Sequence, residues 1–188
     1  GTLEELGRPG LVTRLFTSHF ETLPAFLELA AARRCELQCL PLGVIAELYE
    51  ALGRGEDTVL SEVGVGTFLD PRTGRGSPVQ GGRREQWVGA EGERLRYRLP
   101  PIDVAIFNLP AADRRGNLYA EGAAMIGDSR EIARAARRNG GYVIANVGLL
   151  VDEDPTSGYL PPVYYYQGRA REGLKNRAFA DSYRAYLN

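Results

Sequence analysis

Residues 63–72 read VGVGTFLDPR, with Gly64 and Gly66 on either side of Val65. Paired glycines let a backbone come close to a ligand or to another stretch of chain. Alone, the G-x-G pattern serves sheet geometry equally well. It lacks the third glycine and the following helix of a dinucleotide site, and it is not a phosphate loop of the Walker kind. Two carboxylates lie near such turns: Glu62 just before this one, and Glu121 in the segment NLYAEG. Either offers a nucleophile in principle, and either reads equally as a solvated or structural acid. His19, the single histidine, suits general-base chemistry or a packing and hydrogen-bonding role in its SHF turn. The arginine-bearing stretch 72–84 has guanidinium forks that suit phosphate, or is simply a surface loop. Tyr164–Tyr166 can stack on a base such as adenine, or form a strand edge or an interface.

Cys35 and Cys39 are four apart, and zinc requires more ligands than these two supply. They read as inert, reduced, buried thiols, so no metal site is expected and the expected compartment is the cytoplasm. Acidic and basic residues nearly balance, giving a net charge of −1 and a pI near 6.0. Of the 23 basic residues all but Lys175 are arginine, yet they form no run longer than a triplet. A basic patch is therefore missing, and nucleic acid is not an expected partner. No apolar run approaches a membrane span, so no membrane partner is expected. At 188 residues the chain is long enough for one domain with a sizeable core. With 44% apolar and 25% charged residues it is neither disordered nor fibrous. The sole methionine is Met125 and the chain opens at Gly1, which suggests a piece of a longer protein.

The elements that must position these residues follow from periodicity. Pro24 at a first helical position, with Phe26, Leu27 and Leu29 after it, predicts a helix over 24–34. Residues 36–40 read as a short strand broken by Pro41. Residues 43–53 place Val44, Ile45, Leu48, Tyr49 and Leu52 on one helical face before a closing glycine. Residues 83–99 alternate about a Gly-Ala-Glu-Gly turn at 89–92, which predicts a hairpin. The apolar run 102–109, flanked by Pro100, Pro101 and Pro110, has the composition of a strand buried on both faces. A D-x-x-E start at Asp128 and Glu131 resembles a capping box for a helix over 129–138. A second buried strand follows at 142–151. Together these make a βαβ unit, hence an α/β fold with an open, mainly parallel sheet, helices on both faces and a hairpin insertion. After residue 151 the character changes to a Pro/Gly-rich loop, then an amphipathic helix over 170–187. The expected organisation is a domain at 1–151 followed by a C-terminal loop and helix at 152–188.

The string GVGTFLDPR closely resembles a signature of the α-type half of family I CoA-transferases, the 3-oxoacid and propionate CoA-transferase type. Other blocks resemble that family in order and spacing across roughly residues 10–150. Ser18-His19-Phe20 matches its glycine-histidine-tryptophan turn, and Leu40–Gly43 its Pro-Gln-Gly turn. IDVAIFNLPAADRRGN, with Asp113, Gly116 and Asn117, matches its strand and turn before the next helix. RRNGGYVIANV matches the strand after that helix. Leu42 replaces the usual glutamine, and Asn108-Leu109-Pro110 replaces Arg-Gly-Thr. The opening glycine-rich strand of the family is missing.

The resemblance implies a fold shared with ribose-5-phosphate and glucosamine-6-phosphate isomerases. It implies CoA transfer from an acyl-CoA to a carboxylic acid through a glutamyl-CoA thioester, with coenzyme A as substrate and no bound cofactor. The glutamate of that chemistry belongs to a β-type half whose motif is not found here, so no catalytic residue is assigned and activity is expected only with that partner. A homo- or hetero-oligomer is expected. Leu42, Gly43, Gly64, Val65, Gly66, Thr67 and Phe68 are expected to line the acyl pocket, and Leu42 suits a more apolar acyl group. Two rival readings share the fold. One is a non-catalytic metabolite sensor or regulatory subunit; the other is the α subunit of an acyl-CoA hydrolase or lyase.

Overall fold

The structure is a computed structural model and describes residues 3–79, 86–123 and 127–151, with the backbone of 159–160. The chain divides into two compact units, residues 1–101 and 102–188. The expectations for the loop after residue 151, for Tyr164–Tyr166 and for the helix over 170–187 lie outside the described residues, as do Arg83 and Arg84. The boundary expected after residue 151 borders on that stretch.

In the first unit, β1 (Arg14–Thr17) and β2 (Glu36–Cys39) pair in parallel across the helix α1 (Pro24–Ala31). The strand β1 was not among the expected elements; its parallel pairing with β2 is what makes it a strand. Pro24 opens α1 and Phe26, Leu29 and Ala30 are buried, one helical face against Cys35 and Leu37. The helix ends at Ala31, earlier than expected. Arg33 takes a left-handed φ of 58°, and the Arg34 N–H turns back to the Leu29 carbonyl. Such a reversal usually falls on glycine.

The second helix, α2 (Leu42–Arg54), runs past Gly53 and stops at Gly55, whose φ is 90°. It buries Val44, Ile45, Leu48 and Ala51. Its core partners come from a three-stranded antiparallel sheet of β3 (Thr58–Ser61), β4 (Val88–Glu91) and β5 (Arg94–Arg98), with β5 central. The segment RLRYR of β5 alternates, burying Leu95 and Tyr97 and exposing its three arginines. The expected hairpin is present, but Gly89–Glu91 belong to β4 and the reversal is made by Gly92 and Glu93, with φ of 56° at Gly92. A two-residue turn needs that positive φ, which only the second glycine of the expected turn supplies in register. The third strand, β3, was also missed by sequence.

The second unit contains the expected βαβ crossover. The strands β6 (Val104–Asp113) and β8 (Tyr142–Val151) pair in parallel, joined through the helix α3 (Ser129–Arg138). Short antiparallel strands β7 (Leu118–Tyr119) and β9 (Tyr159–Leu160) flank them. β6 passes through Pro110, the one position that the ladder to β8 skips, since proline has no N–H to give. Asp128 makes no side-chain cap hydrogen bond, so the capping box is not realised. The block Asn139-Gly140-Gly141 closes the crossover. The Asn139 amide donates to the Asp103 carboxylate at 2.8 Å, and a Cβ on Gly141 would collide with the Asp103 carbonyl oxygen.

Two expectations are corrected here. Described strands form three separate ladders of two, three and four strands, with antiparallel pairs beside the two parallel ones, rather than one mainly parallel sheet. The segment 63–79 and the hairpin supply local antiparallel pairing that the crossover pattern did not signal. Secondly, β6 and β8 are not buried on both faces. Ala105 and Ala145 are buried, whereas Val104, Ile106, Tyr142 and Ile144 are all exposed, because α3 covers a single face. What holds is the coarser reading, an α/β fold with helices on strands.

Candidate functional site

The glycine turn is held from three directions, all within the first unit. Gly64 and Gly66 both have positive φ, 87° and 72°. Below them Tyr97, fully buried, donates its hydroxyl to the Val63 carbonyl. Burial pushes the Tyr97 hydroxyl up to about 12, helped by the charge of Asp70, so it remains a donor. A Cβ on Gly64 would meet that hydroxyl at 2.6 Å, which explains the glycine. Within the turn, Thr67 donates its hydroxyl to the Gly64 carbonyl at 2.7 Å and accepts the Leu69 N–H.

The third support is Asp70, only 2% exposed. Its carboxylate accepts both Nε and Nη2 of Arg72 at 2.8 Å, and the N–H groups of Gly66 and Arg72 at 3.0 Å. The Arg72 guanidinium, then the Gly66 N–H, hold the Asp70 carboxyl well below the usual carboxylate range, against the opposing effect of burial. The other prong of Arg72 donates to the Gly92 carbonyl at 2.7 Å, tying the glycine turn to the hairpin tip. Arg72 is therefore a structural clamp here.

These bonds decide which backbone donors the turn can offer. The N–H groups of Val65, Gly66, Thr67 and Leu69 are all occupied within the turn. Phe68 is pinned differently. Its carbonyl accepts the N–H groups of Arg75 and Gly76, and Gly74 lies flat against its backbone, while the residue as a whole is 61% exposed.

A cavity of about 920 Å³ opens beside Phe68. One wall is Gly66–Phe68 and another is Ser18–Glu21 with Leu27. Cys39, Thr73–Arg75, Pro78 and Val79 complete the described lining. The last two are placed because Cys39 N–H donates to the Ser77 carbonyl and Val79 N–H to the Leu37 carbonyl, which lays 77–79 along the edge of β2. The buried Ser77 hydroxyl also accepts the Trp87 N–H at 3.1 Å.

Of the expected pocket wall, Gly66, Thr67 and Phe68 line this cavity; Leu42, Gly43, Gly64 and Val65 do not. Leu42 is 65% exposed at the start of α2. His19 does reach the cavity, and its Nδ1 lies 3.1 Å from the Ser18 hydroxyl. Cys39 is half-buried rather than buried and also lines it; burial, then the nearby Glu21 charge, pushes its thiol up, so it is not a thiolate nucleophile. Arg75 falls within the stretch 72–84 read as suited to phosphate or as a surface loop, whereas Leu27 and Val79 were passed over as cavity residues, since only proximity in the fold gives a signal for them. Glu62 and Glu121 are exposed and neither lines the cavity. Among the described residues no group of histidine, cysteine and carboxylate side chains could hold a metal. No described helix is long and apolar enough to cross a membrane.

In the second unit the ADRRGN turn is built on Asp113, also nearly fully buried. It accepts the N–H groups of Arg115 and Asn117, the Asn117 amide and the Tyr119 hydroxyl. Burial pushes its carboxyl up, but these four bonds outweigh it and leave the carboxyl below its usual range.

The family model for coenzyme A transferase matches residues 3–165. The chain belongs to the coenzyme A transferase family. The chain is 32% identical over 148 residues to the caffeate CoA-transferase of Acetobacterium woodii, a match covering 77% of the chain and 28% of the relative. It is 28% identical over 153 residues to the acetate CoA-transferase YdiF of Escherichia coli K12, covering 79% of the chain and 29% of the relative. It thus spans less than a third of these curated relatives. Among solved structures, the E. coli O157:H7 acyl-CoA transferase YdiF, in a thioester complex with CoA, matches with a TM-score of 0.75 and 25% identity over 86% of this chain and 34% of that one. Glutaconate coenzyme A-transferase from Acidaminococcus fermentans, at 16% identity and a TM-score of 0.60, covers 85% of this chain and 55% of that one and shares the fold.

Proposed function

We propose that this chain is the α-type part of a CoA-transferase, and that the cavity between the SHF turn and Gly66–Phe68 receives the acyl group or the acceptor acid. The observation that carries this reading is the meeting of two motif blocks, some fifty residues apart in sequence, around one cavity. In the reaction, a glutamate supplied by a β-type half attacks the thioester carbonyl of acyl-CoA. The C–S bond breaks, leaving an acyl-glutamyl anhydride and CoA thiolate. The thiolate attacks the glutamyl carbonyl, releasing the first carboxylate and forming glutamyl-CoA. The acceptor carboxylate then repeats these two steps in reverse and leaves as the new acyl-CoA. Splitting one difficult exchange into single acyl transfers is what the covalent route contributes. The α-type part's own task is to bind, orient and exclude water. We place the assembly in the cytoplasm as an oligomer with the β-type half, with coenzyme A as substrate; the two free thiols fit a reducing compartment.

The test is to incubate the full assembly with acyl-CoA, trap with borohydride and weigh the intact β-type half. The expected result is a mass change at one glutamate, dependent on this chain. Turnover with no trapped glutamyl adduct overturns the covalent route.

A further inference from the structure

Three large apolar side chains that the first unit leaves exposed converge on the one cavity: Leu27 at 39%, Phe68 at 61% and Val79 at 40% exposure. Folded domains do not usually cluster exposed apolar groups in a concavity without a ligand to cover them. Phe68 is also fixed, since its carbonyl holds two N–H groups and Gly74 presses on its backbone. A pinned backbone anchors the ring's attachment point, so a ligand packing on it has only the side-chain torsions to order.

The polar groups narrow the ligand further. Among the described residues, Arg75 is the one arginine or lysine lining the cavity. Its backbone is engaged, through its N–H to Phe68 and its carbonyl to Gln86, but its guanidinium has no hydrogen bond or ion pair among the described residues. This contrasts with Arg72, whose guanidinium is committed on all sides to Asp70 and Gly92. Glu21, the one carboxylate among the described lining residues, accepts the Phe20 N–H at 3.1 Å. The described lining therefore presents an apolar body beside the uncommitted guanidinium of Arg75, the group best suited to grip a carboxylate.

We infer that the cavity selects a carboxylic acid with an aromatic or medium-length apolar body, packed on Phe68 and Leu27 with its carboxylate on Arg75, over short acids such as acetate. This rests on the reading of the chain as a CoA-transferase for its role in turnover, but the binding itself can be tested apart from it. The test is calorimetric titration of the full chain with 3-phenylpropanoate, with its neutral amide, with acetate and with CoA. The acid is expected to bind at least about tenfold more tightly than acetate, because a ring's worth of apolar surface leaves water. It is also expected to bind about tenfold more tightly than the amide, and Arg75→Gln should abolish that second difference. Phe68→Ala should erase most of the preference over acetate, and Phe68→Leu should restore part of it, which a general loss of folding would not do. Equal affinity for acetate and 3-phenylpropanoate, equal affinity for acid and amide, or no binding of any acid overturns the inference. Competition by CoA alone, with no effect of either acid, would assign the cavity to the CoA moiety and overturn it as well. These preferences without a trapped glutamyl adduct would instead sink the covalent transferase route and leave the cavity's ligand class standing.

Discussion

The two units solve one local problem twice, with different chemistry. Each buries an aspartate in a tight glycine-bearing turn and surrounds its carboxylate with four donors, Asp70 in the first unit and Asp113 in the second. Among the described residues, Asp113 is held by neutral groups alone: two backbone N–H groups, an amide and a phenol. Asp70 is held by two backbone N–H groups and an arginine, and that arginine reaches on to a second element. A neutral cage fixes the shape of its own turn. A charged one transmits position to a neighbour, here from the hairpin tip to the wall of a cavity.

The largest expected effect separates the two roles directly. Asp70→Asn turns acceptor capacity into donors facing donors, releases the Gly66 N–H, and should weaken 3-phenylpropanoate binding about tenfold. Asp113→Asn should lower the melting temperature by several degrees and leave that binding within about twofold. If titration finds the two variants equally impaired in binding, the distinction between a local cage and a transmitting clamp is wrong.

Acid and salt should sharpen it. Both carboxyls sit below their unfolded value of about 3.9, so the stability they contribute is complete above about pH 5 and drains away as pH falls below about 4. The Arg72 side chain is 39% exposed, so its attraction for Asp70 is open to screening, whereas the neutral donors on Asp113 are not. Following the two carboxyl carbons by NMR, the Asp70 midpoint should rise between low and molar salt by more than that of Asp113.

The smallest effect concerns how each unit ends its crossover helix. After α3 the left-handed residue is Gly140, with φ of 74°; after α1 it is Arg33, with φ of 58°. Arg33→Gly should stabilise by about 1 kcal/mol and Gly140→Ala should destabilise by about the same, measured by denaturant unfolding.

How much of this was legible follows the same division. Long periodic segments could be read directly. The faces of α2 and the βαβ crossover of the second unit both follow from apolar spacing, with bounds off by a few residues. The four-residue strands β1 and β3 were not legible, since their pairing partners, rather than their own period, make them strands. The exposure of Ile106 and Tyr142 was hidden too: an apolar run shows what residues prefer, and which face a helix covers is decided elsewhere in the chain. At the site, GVGTF was readable as a turn, but the reason for DPR was not. Asp70 and Arg72 acquire meaning through Gly66 and through Gly92, twenty residues on. Leu42 looked like a pocket residue because of its place in a motif, whereas Arg75 and Val79 reach the cavity through the edge pairing of residues 77–79 with β2.

The reach of Arg72 to the Gly92 carbonyl has a practical consequence. The tip of an exposed two-residue hairpin is ordinarily the safest place in a protein to splice in a tag or accept a protease cut. In this chain the tip works as the far end of a strut. A graft at Gly92 or a nick at Glu93 would slacken the cavity wall while leaving every residue of that wall intact.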